Sequence, residues 1–250
     1  VFCDIISLAM HITKLGHCCL VVEITTPLRP RSEAPFVKGD KTVRILTDPG
    51  AWSTKQNEVK DIDYVFITHE HQDHYHLESI RTIISNNPEV RIVTNKGVGK
   101  LLDAEKIPHE LLEHGGAKDF SGIRVAGHGE KHAVIYKEFG QVQNTGYFFA
   151  DRFFYPGDAF YNPGKPVEIL ALPVSGPWMK ISEAIDYAKA IKPKVAFPVH
   201  DGMLKIFGPF HSVPQKLLAD AGIRFEIMNE SDSRDFRRSK SNAVLKSECR

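Results

Sequence analysis

Apolar residues along this chain fall into short runs, rich in β-branched side chains and separated by turn-forming and charged residues. Such runs predict β-strands, whereas apolar residues three and four apart predict helices. In the first half, strands are predicted in "HITKL" and "CLVVEIT", which form a hairpin, and in "VRILTD", "DYVFITH" and "VRIVTN". Helices are predicted in "YHLESIRTIISNN" and "KGVGKLLDAE", and a surface loop in the proline-rich "PLRPRSEAPFVKGDK".

The second half repeats this order, with strands first and mixed strands and helices afterwards. Strands are predicted in "GIRVAGHG", "HAVIY", "GYFFA", "RFFYPG", "EILALPV", "KVAFPVH" and "IRFEIM". Helices are predicted in "ISEAIDYAKAIKP", which stops at a proline, and in "VPQKLLADAG", which ends at a glycine. Two such sets predict an α/β fold with two β layers and helices outside each, four layers in all. No repeat and no linker divides this core.

The two ends of the chain differ from this core in composition. Residues 1–9 precede the first clear strand, which opens at Met10, and are interpreted as an N-terminal extension from outside the fold. The polar segment 229–250 has few large apolar residues and predicts a flexible tail. The folded domain is therefore predicted over residues 10–228.

Charge and cysteine content exclude several classes of protein. The net charge of +1, from 32 basic and 31 acidic residues, offers no broad attraction to nucleic acid or to an anionic membrane. No apolar run approaches the roughly 20 residues that span a bilayer. The four cysteines suit neither a disulfide framework nor a thiolate zinc site, since no Cys-x-x-Cys occurs. We therefore expect a reduced, cytoplasmic protein.

The stretch "THEHQDHYH", directly after a predicted buried strand, concentrates histidine and acid in nine residues. His69 and His71 leave the same face of an extended chain about 6.6 Å apart, so both imidazoles can reach one ion. Asp73 and His74 follow after the chain has turned, which aims them beside that ion. A solvated, histidine-rich loop is the alternative, and this spacing between strand and helix argues against it. The stretch therefore predicts ligands for two neighbouring metals.

Further donors for two metals lie far along the chain. His128 and His132 occur in "GHGEKHAVI", Asp158 in "YPGDAF", and His200 with Asp201 in "FPVHDG". Asp158 and His200 each follow an apolar strand, where a rigid scaffold commonly presents functional residues.

These motifs resemble those of the metallo-β-lactamase superfamily of hydrolases. The resemblance is strongest to its compact single-domain branch, which includes ascorbate-phosphate lactonase-like proteins. The stretches that carry it include "KLGHCCLVVE", "ILTDPG", "DYVFITHEHQDH", "FFYPGDAF" and "LPVSGPWMKISEAIDYAKAIKPKVAFPVHDG". It covers Met10 to Met228 and implies a four-layer αββα sandwich, in agreement with the predicted layers.

The resemblance implies a ligand set. The first metal would be held by His69, His71 and His132, the second by Asp73, His74 and His200, and Asp158 would bridge the two. His128 remains the alternative to His132, which is preferred because it begins the predicted strand "HAVIY". Asp48 resembles an aspartate that orients a ligand histidine, and His17 is expected close to the site.

The function implied is hydrolysis with two divalent ions, in which a metal-bridging hydroxide attacks a carbonyl or phosphoryl centre. Asp73 and Asp158 would also transfer protons. Zinc is the first choice for a site of histidine and aspartate without a thiolate, and manganese and iron are the alternatives. The expected substrate is a small molecule: a lactone, an ester, an amide or a phosphate ester. True β-lactamases carry cysteine or serine near the place of Asp158, so β-lactam hydrolysis is at most a side activity.

Two alternatives stay open: a nuclease or phosphodiesterase of the same fold, and a non-catalytic metal-binding protein. Aromatic residues in loops near the motifs predict the walls of a substrate cleft, although they would also suit loop anchors or a contact between copies of the chain. The cleft residues are Trp52, Trp178, Lys180, Phe207 and Phe210. The identity of the substrate is not predicted.

Overall fold

The computed structural model of the protein describes residues 8–27 and 40–236. The first elements are β1 (Ala9–Gly16), β2 (Cys19–Pro27), β3 (Asp40–Thr47), β4 (Tyr64–Phe66), α1 (Leu77–Asn86), β5 (Arg91–Thr94), α2 (Lys96–Ala104) and β6 (Glu110–Leu111). They are followed by β7 (Ala117–Phe120), β8 (Ile123–His128), β9 (Gly146–Phe149), β10 (Phe153–Tyr155), β11 (Ile169–Pro173), α3 (Ile181–Ile191), β12 (Val195–Val199), α4 (Gly208–Ala219), β13 (Arg224–Phe225) and β14 (Ser233–Phe236).

The strands form two seven-stranded sheets. The first has the order β14-β1-β2-β3-β4-β5-β6 and the second β13-β12-β11-β10-β9-β8-β7. Each sheet is antiparallel on one side and parallel on the other, with β3 to β6 parallel in the first and β10 to β13 parallel in the second. The predicted hairpin of the first two strands is confirmed as β1 and β2.

Three apolar clusters hold the layers together. One lies between the sheets, where Phe66 of β4 meets Phe149 of β9 with ring centroids 5.1 Å apart. A second packs α1 and α2 on the outer face of the first sheet, and a third packs α3 and α4 on the second. Both faces of the central strands are therefore buried, which explains their continuous apolar runs. The predicted four-layer αββα sandwich is confirmed.

Two predictions were wrong in detail. The segment "HAVIY", predicted as a strand, is a loop whose backbone binds other loops: His132 N–H donates to Val142 O and Ala133 N–H to Asp158 O. The polar segment predicted as a flexible tail contains β14, which pairs antiparallel with β1 and buries Phe236. Residues 237–250 of that segment, the N-terminal residues 1–7 and most of the proline-rich loop lie outside the described residues.

The fold brings functional side chains to one edge. Because neighbouring parallel strands share a direction, the loops after β3 and β4 open at the same edge of the first sheet, as do those after β10, β11 and β12 of the second. The turn between β1 and β2 opens there too. None of the helices in the described part of the chain is long and apolar enough to cross a membrane.

Candidate metal centre

The first half of the centre consists of three histidines that converge from two loops. His69 and His71 follow β4, and His132 lies in the loop after β8. The ring centroid of His69 is 4.8 Å from that of His71 and from that of His132, and the other two are 4.6 Å apart. Their donor nitrogens lie within 4.8 Å of one another, so one ion can reach all three. The structure thus groups His132, not His128, with the motif.

The second half combines two histidines and two aspartates. Its members are Asp73, His74, Asp158 and His200, which are all buried and whose donor atoms also lie within 4.8 Å of one another. Nε2 of His200 is 3.2 Å from Asp73 Oδ2 and 2.9 Å from Asp158 Oδ2. Nε2 of His74 is 3.2 Å from Asp158 Oδ1.

Asp158 lies between the two halves. Its Oδ2 is 3.3 Å from His132 Nε2 and 4.0 Å from His69 Nε2, while its carboxylate also reaches the second half. Asn144 fixes its backbone by accepting its N–H at 3.0 Å, and Trp178 Nε1–H donates to its Oδ2 at 2.8 Å. The position is the one expected of a residue shared by two ions.

Hydrogen bonds at the outer nitrogens determine the tautomers of three histidines. Nδ1 of His74 lies 2.7 Å from the Asp48 carboxylate and Nδ1 of His132 faces the Ala133 carbonyl, and both partners can only accept. Nδ1 of His69 faces the Thr68 hydroxyl, whose own proton goes to Asp48. Each Nδ1 therefore carries a proton, which leaves Nε2 as the nitrogen that can bind a metal.

These inward atoms are buried, and although several of the nitrogens lie 2.9–3.3 Å from the Asp158 carboxylate across the centre, none makes a well-aligned hydrogen bond. They are Nε2 of His69, His74, His132 and His200 together with Oδ1 of Asp158. A buried polar atom left unpaired is costly, so a concentration of five such atoms requires another occupant. Imidazole and carboxylate donors suit divalent transition metals, and the residues therefore fit the two ions that the fold implies.

The two halves differ in electrostatics. Burial and the neighbouring His74 hold the pKa of His69 well below its usual value, and burial and His132 lower the pKa of the half-buried His71. Burial would also lower the pKa of His200, but Asp158 outweighs it and raises that pKa well above the usual value. Without metal, His69 and His71 are therefore neutral, while the second half is a cluster of compensating charges.

The carboxylates of the second half stay ionised. Burial would raise the pKa of Asp158, but His200 and His74 hold it well below the usual range. Burial opposes ionisation of Asp73 as well, and the neighbouring His17 and His200 lower its pKa nevertheless. Both groups therefore remain negative and available as ligands at neutral pH.

Asp48 supports the centre from the loop after β3. Its Oδ1 accepts the Thr68 backbone N–H at 2.7 Å, and its Oδ2 accepts from His74 Nδ1 at 2.7 Å and from the Tyr155 hydroxyl at 2.8 Å. The orienting contact with a histidine, expected from the sequence, is present. A side chain at Gly50 would place its Cβ 1.8 Å from the Asp73 carbonyl, so glycine permits this loop to approach the motif.

His17, in the turn between β1 and β2, has the opposite tautomer. The backbone N–H of Gly202 donates to its Nδ1 at 3.0 Å, so Nε2 carries the proton. That Nε2–H is 3.2 Å from Asp73 Oδ2, and the ring lies 4.3 Å from that of His200. His17 therefore contacts the second half as a hydrogen-bond donor.

A buried ionic network behind His200 was not predicted. Lys14 Nζ lies 2.7 Å from both carboxylate oxygens of Asp201, and His211 Nε2 donates to Asp201 at 2.9 Å. Lys14 also donates to the carbonyls of Pro198 and Met228. The sequence gives two weak signals: Lys14 occupies an inward position of a buried strand, and Asp201, which has no assigned role, directly follows His200.

Cys18 is a second residue at the centre that the sequence did not predict. Its thiol is grouped with His17, His74 and His200 by donor atoms within 4.8 Å, although the cysteine spacing gave no reason to expect a thiol at the site. Burial would raise the pKa of Cys18, but the three histidines lower it to about 7. The thiol is therefore an additional donor beside the second half.

Three of the predicted cleft residues lie beside the centre or its neighbouring cavity, and the other two contact residues elsewhere. Trp52 lies against His17 with ring centroids 4.8 Å apart, and Trp178 contacts the centre through Asp158. Phe210 lines a cavity beside the centre. Phe207 instead packs on His211, and the backbone N–H of Lys180 binds Glu183 at the start of α3.

The αββα sandwich, with histidine and aspartate side chains converging at its strand ends, defines a metallo-β-lactamase fold with a centre suited to divalent metals. Residues 33–200 match the family described as the beta-lactamase superfamily domain. Because that match covers most of the chain, the protein belongs to this family.

Individual relatives agree with this assignment. The Mycobacterium tuberculosis protein Rv0786c is 30% identical over 200 residues, which are 78% of this chain and 85% of that protein. The UPF0173 metal-dependent hydrolase of Thermoplasma acidophilum is 27% identical over 187 residues, 71% of this chain and 80% of that protein. The structure of Igni18, a metallo hydrolase from Ignicoccus hospitalis, has a TM-score of 0.67 at 19% identity and covers 91% of this chain and 98% of that one.

Proposed function

We propose that this protein is a hydrolase that works with two divalent metal ions and acts on a carbonyl or phosphoryl centre of a small molecule. The observation that carries the proposal is the set of five buried, unpaired donor atoms around Asp158. The relative from Thermoplasma acidophilum, which is named a metal-dependent hydrolase, supports it.

The two halves would hold one ion each, with Asp158 shared between them. Ions bound there would activate water for attack at neutral pH and polarise the oxygen of the scissile group. Zinc is the preferred metal because both halves offer imidazole, and the second adds carboxylate.

The protein's own side chains supply the remaining chemistry. Asp73 and Asp158 are ionised and lie at the centre, so either can accept a proton from the attacking water and deliver it to the leaving group. Trp178 and His17 donate hydrogen bonds to these two carboxylates and hold their orientation. No covalent intermediate is required.

The proposal is tested by metal analysis and a substrate panel of lactones, alkyl esters, amides and phosphodiesters. The variants are His71→Ala in the first half and His200→Ala in the second, with His11→Ala as a matched control, because His11 is exposed on β1 and binds Asp235. We expect about two metal equivalents in the wild type and the control, about one in each centre variant, and loss of hydrolysis only in those two. A wild-type protein that binds no metal after exposure to zinc, manganese or iron contradicts the proposal.

A further inference from the structure

A cavity of about 420 Å³ lies beside the metal centre, between the loop after β11 and the loop that leads into α4. Its walls include Val174, Gly176, Met179, Ile181, Met203 and Phe210. None of the residues that line it carries a charge. A charged group entering this space would lose its hydration without gaining a partner, so the cavity selects apolar groups.

The cavity shares walls with the metal centre. The hydroxyl of Ser175, a lining residue, donates to the carbonyl of His200. A Cβ at Gly176, another lining residue, would lie 2.8 Å from Nε1 of Trp178, the atom that donates to Asp158. The cavity therefore borders two candidate ligands: Ser175 contacts His200, and Trp178 lies between Gly176 and Asp158.

Apolar side chains are exposed at its rim. Met203 is 46% exposed and Ile206 is 70% exposed, both in the loop that follows His200. Trp52, whose ring lies 4.8 Å from that of His17, is 41% exposed. Apolar surface concentrated beside a polar centre is typical of a ligand-binding groove.

The volume indicates the size of the group. A cavity of about 150 Å³ lined by apolar side chains binds benzene. The present cavity is close to three times larger, within the usual range for small-molecule sites. A medium-length acyl chain or a substituted aromatic ring fits such a space.

We infer that this cavity binds the apolar acyl or aryl part of the substrate while the scissile bond lies at the metal centre. The inference rests on the proposed hydrolase function and narrows it: the preferred substrates are esters and lactones with a bulky apolar substituent. Substrates that carry a charge on the part remote from the scissile group do not match the lining.

The inference is tested with p-nitrophenyl esters from acetate to octanoate and with the metal-loaded protein. Burying one methylene group is expected to raise kcat/KM by up to about fourfold. Met203→Trp, which narrows the cavity at its rim, is expected to lower the octanoate-to-acetate ratio of kcat/KM at least tenfold. Phe139→Trp is the matched control, because Phe139 is exposed in a loop outside the cavity lining, and its ratio should equal that of the wild type.

Calorimetric binding of 1-octanol, which has no hydrolysable bond, separates the two proposals. If neither these esters nor any other substrate of the panel is hydrolysed, but octanol binds and Met203→Trp weakens its binding, the cavity is confirmed and the hydrolase function fails. If esters are hydrolysed at the same rate whatever their chain length, and octanol does not bind, the cavity assignment is wrong and the hydrolase function stands. If the enzyme prefers long esters and Met203→Trp does not change that preference, the acyl chain binds elsewhere and the inference is also wrong.

Discussion

The two halves of the centre are built in different ways. In the first, His69 and His132 are oriented by their sequence neighbours, Thr68 and the Ala133 carbonyl, and His71 is half-buried. In the second, every ligand is buried, and two of them are oriented from a distance: Asp48 is 26 residues from His74, and His17 is 56 residues from Asp73. A local stretch of chain can assemble most of the first half, whereas the second requires the complete fold.

Backbone strain follows the same division. His17, Asp48 and His200 have φ values of +40°, +37° and +60°, in the left-handed region that favours glycine, whereas the first-half ligands have no positive φ. Such conformations cost about 1–3 kcal/mol each and persist only where surrounding contacts enforce them. The contacts around the second half therefore stabilise backbone conformations that the chain alone disfavours. We expect substitutions outside the ligand set to weaken metal binding at the second half more than at the first.

The largest effect is expected from Lys14→Met. The substitution removes the buried cation that pairs with Asp201 beside His200 and leaves only the contact with His211, and removing one partner of a buried ion pair costs about 3–5 kcal/mol. The free energy of unfolding of the metal-free protein, measured with urea, should fall by that amount, and the second metal equivalent should be lost at limiting metal.

Lys55→Met is the matched control for this substitution. Lys55 forms an exposed ion pair with Glu230, and such pairs contribute about 0–1 kcal/mol. Equal losses of stability in the two variants would show that the buried network does not support the second half.

A smaller and more selective effect is expected from Asp48→Asn. The neutral amide no longer provides the anionic acceptor for His74, and loss of such an orienting carboxylate typically lowers metal affinity about 10–100-fold. Chelator competition should show much weaker binding of the second ion and a smaller loss of affinity for the first, which Asp48 reaches only through Thr68 and His69. Asp63→Asn, at an exposed aspartate that accepts the Arg44 backbone N–H, is the control and should bind both ions normally. A loss shared equally by both ions would contradict the division into two halves.

The same division explains what the sequence could predict. The spacing of His69, His71, Asp73 and His74 is local, so the motif and its strand were recognisable from the pattern alone. Lys14 and Asp201 are 187 residues apart, and no local pattern links them. The apolar segment after His132 has strand-like composition, yet its backbone hydrogen bonds go to loops that only the tertiary structure brings together. β14 was not predicted because it is a polar edge strand. Its pairing with β1 makes it a strand although its composition does not favour one.

The smallest effect is expected at His17, where two substitutions separate its two hydrogen bonds. Asparagine can accept the Gly202 N–H near the position of Nδ1 but is too short to reach Asp73, whereas glutamine places an N–H donor near the position of Nε2. If the hydrogen bond to Asp73 orients that ligand, His17→Asn should lower the affinity for the second ion about tenfold, near the lower limit for orienting residues. His17→Gln should retain most of that affinity. Chelator competition measures both, with occupancy of the first ion as the internal reference. The reverse order of the two variants would show that His17 acts by holding the loop of Gly202 and His200, and that Asp73 is oriented without it.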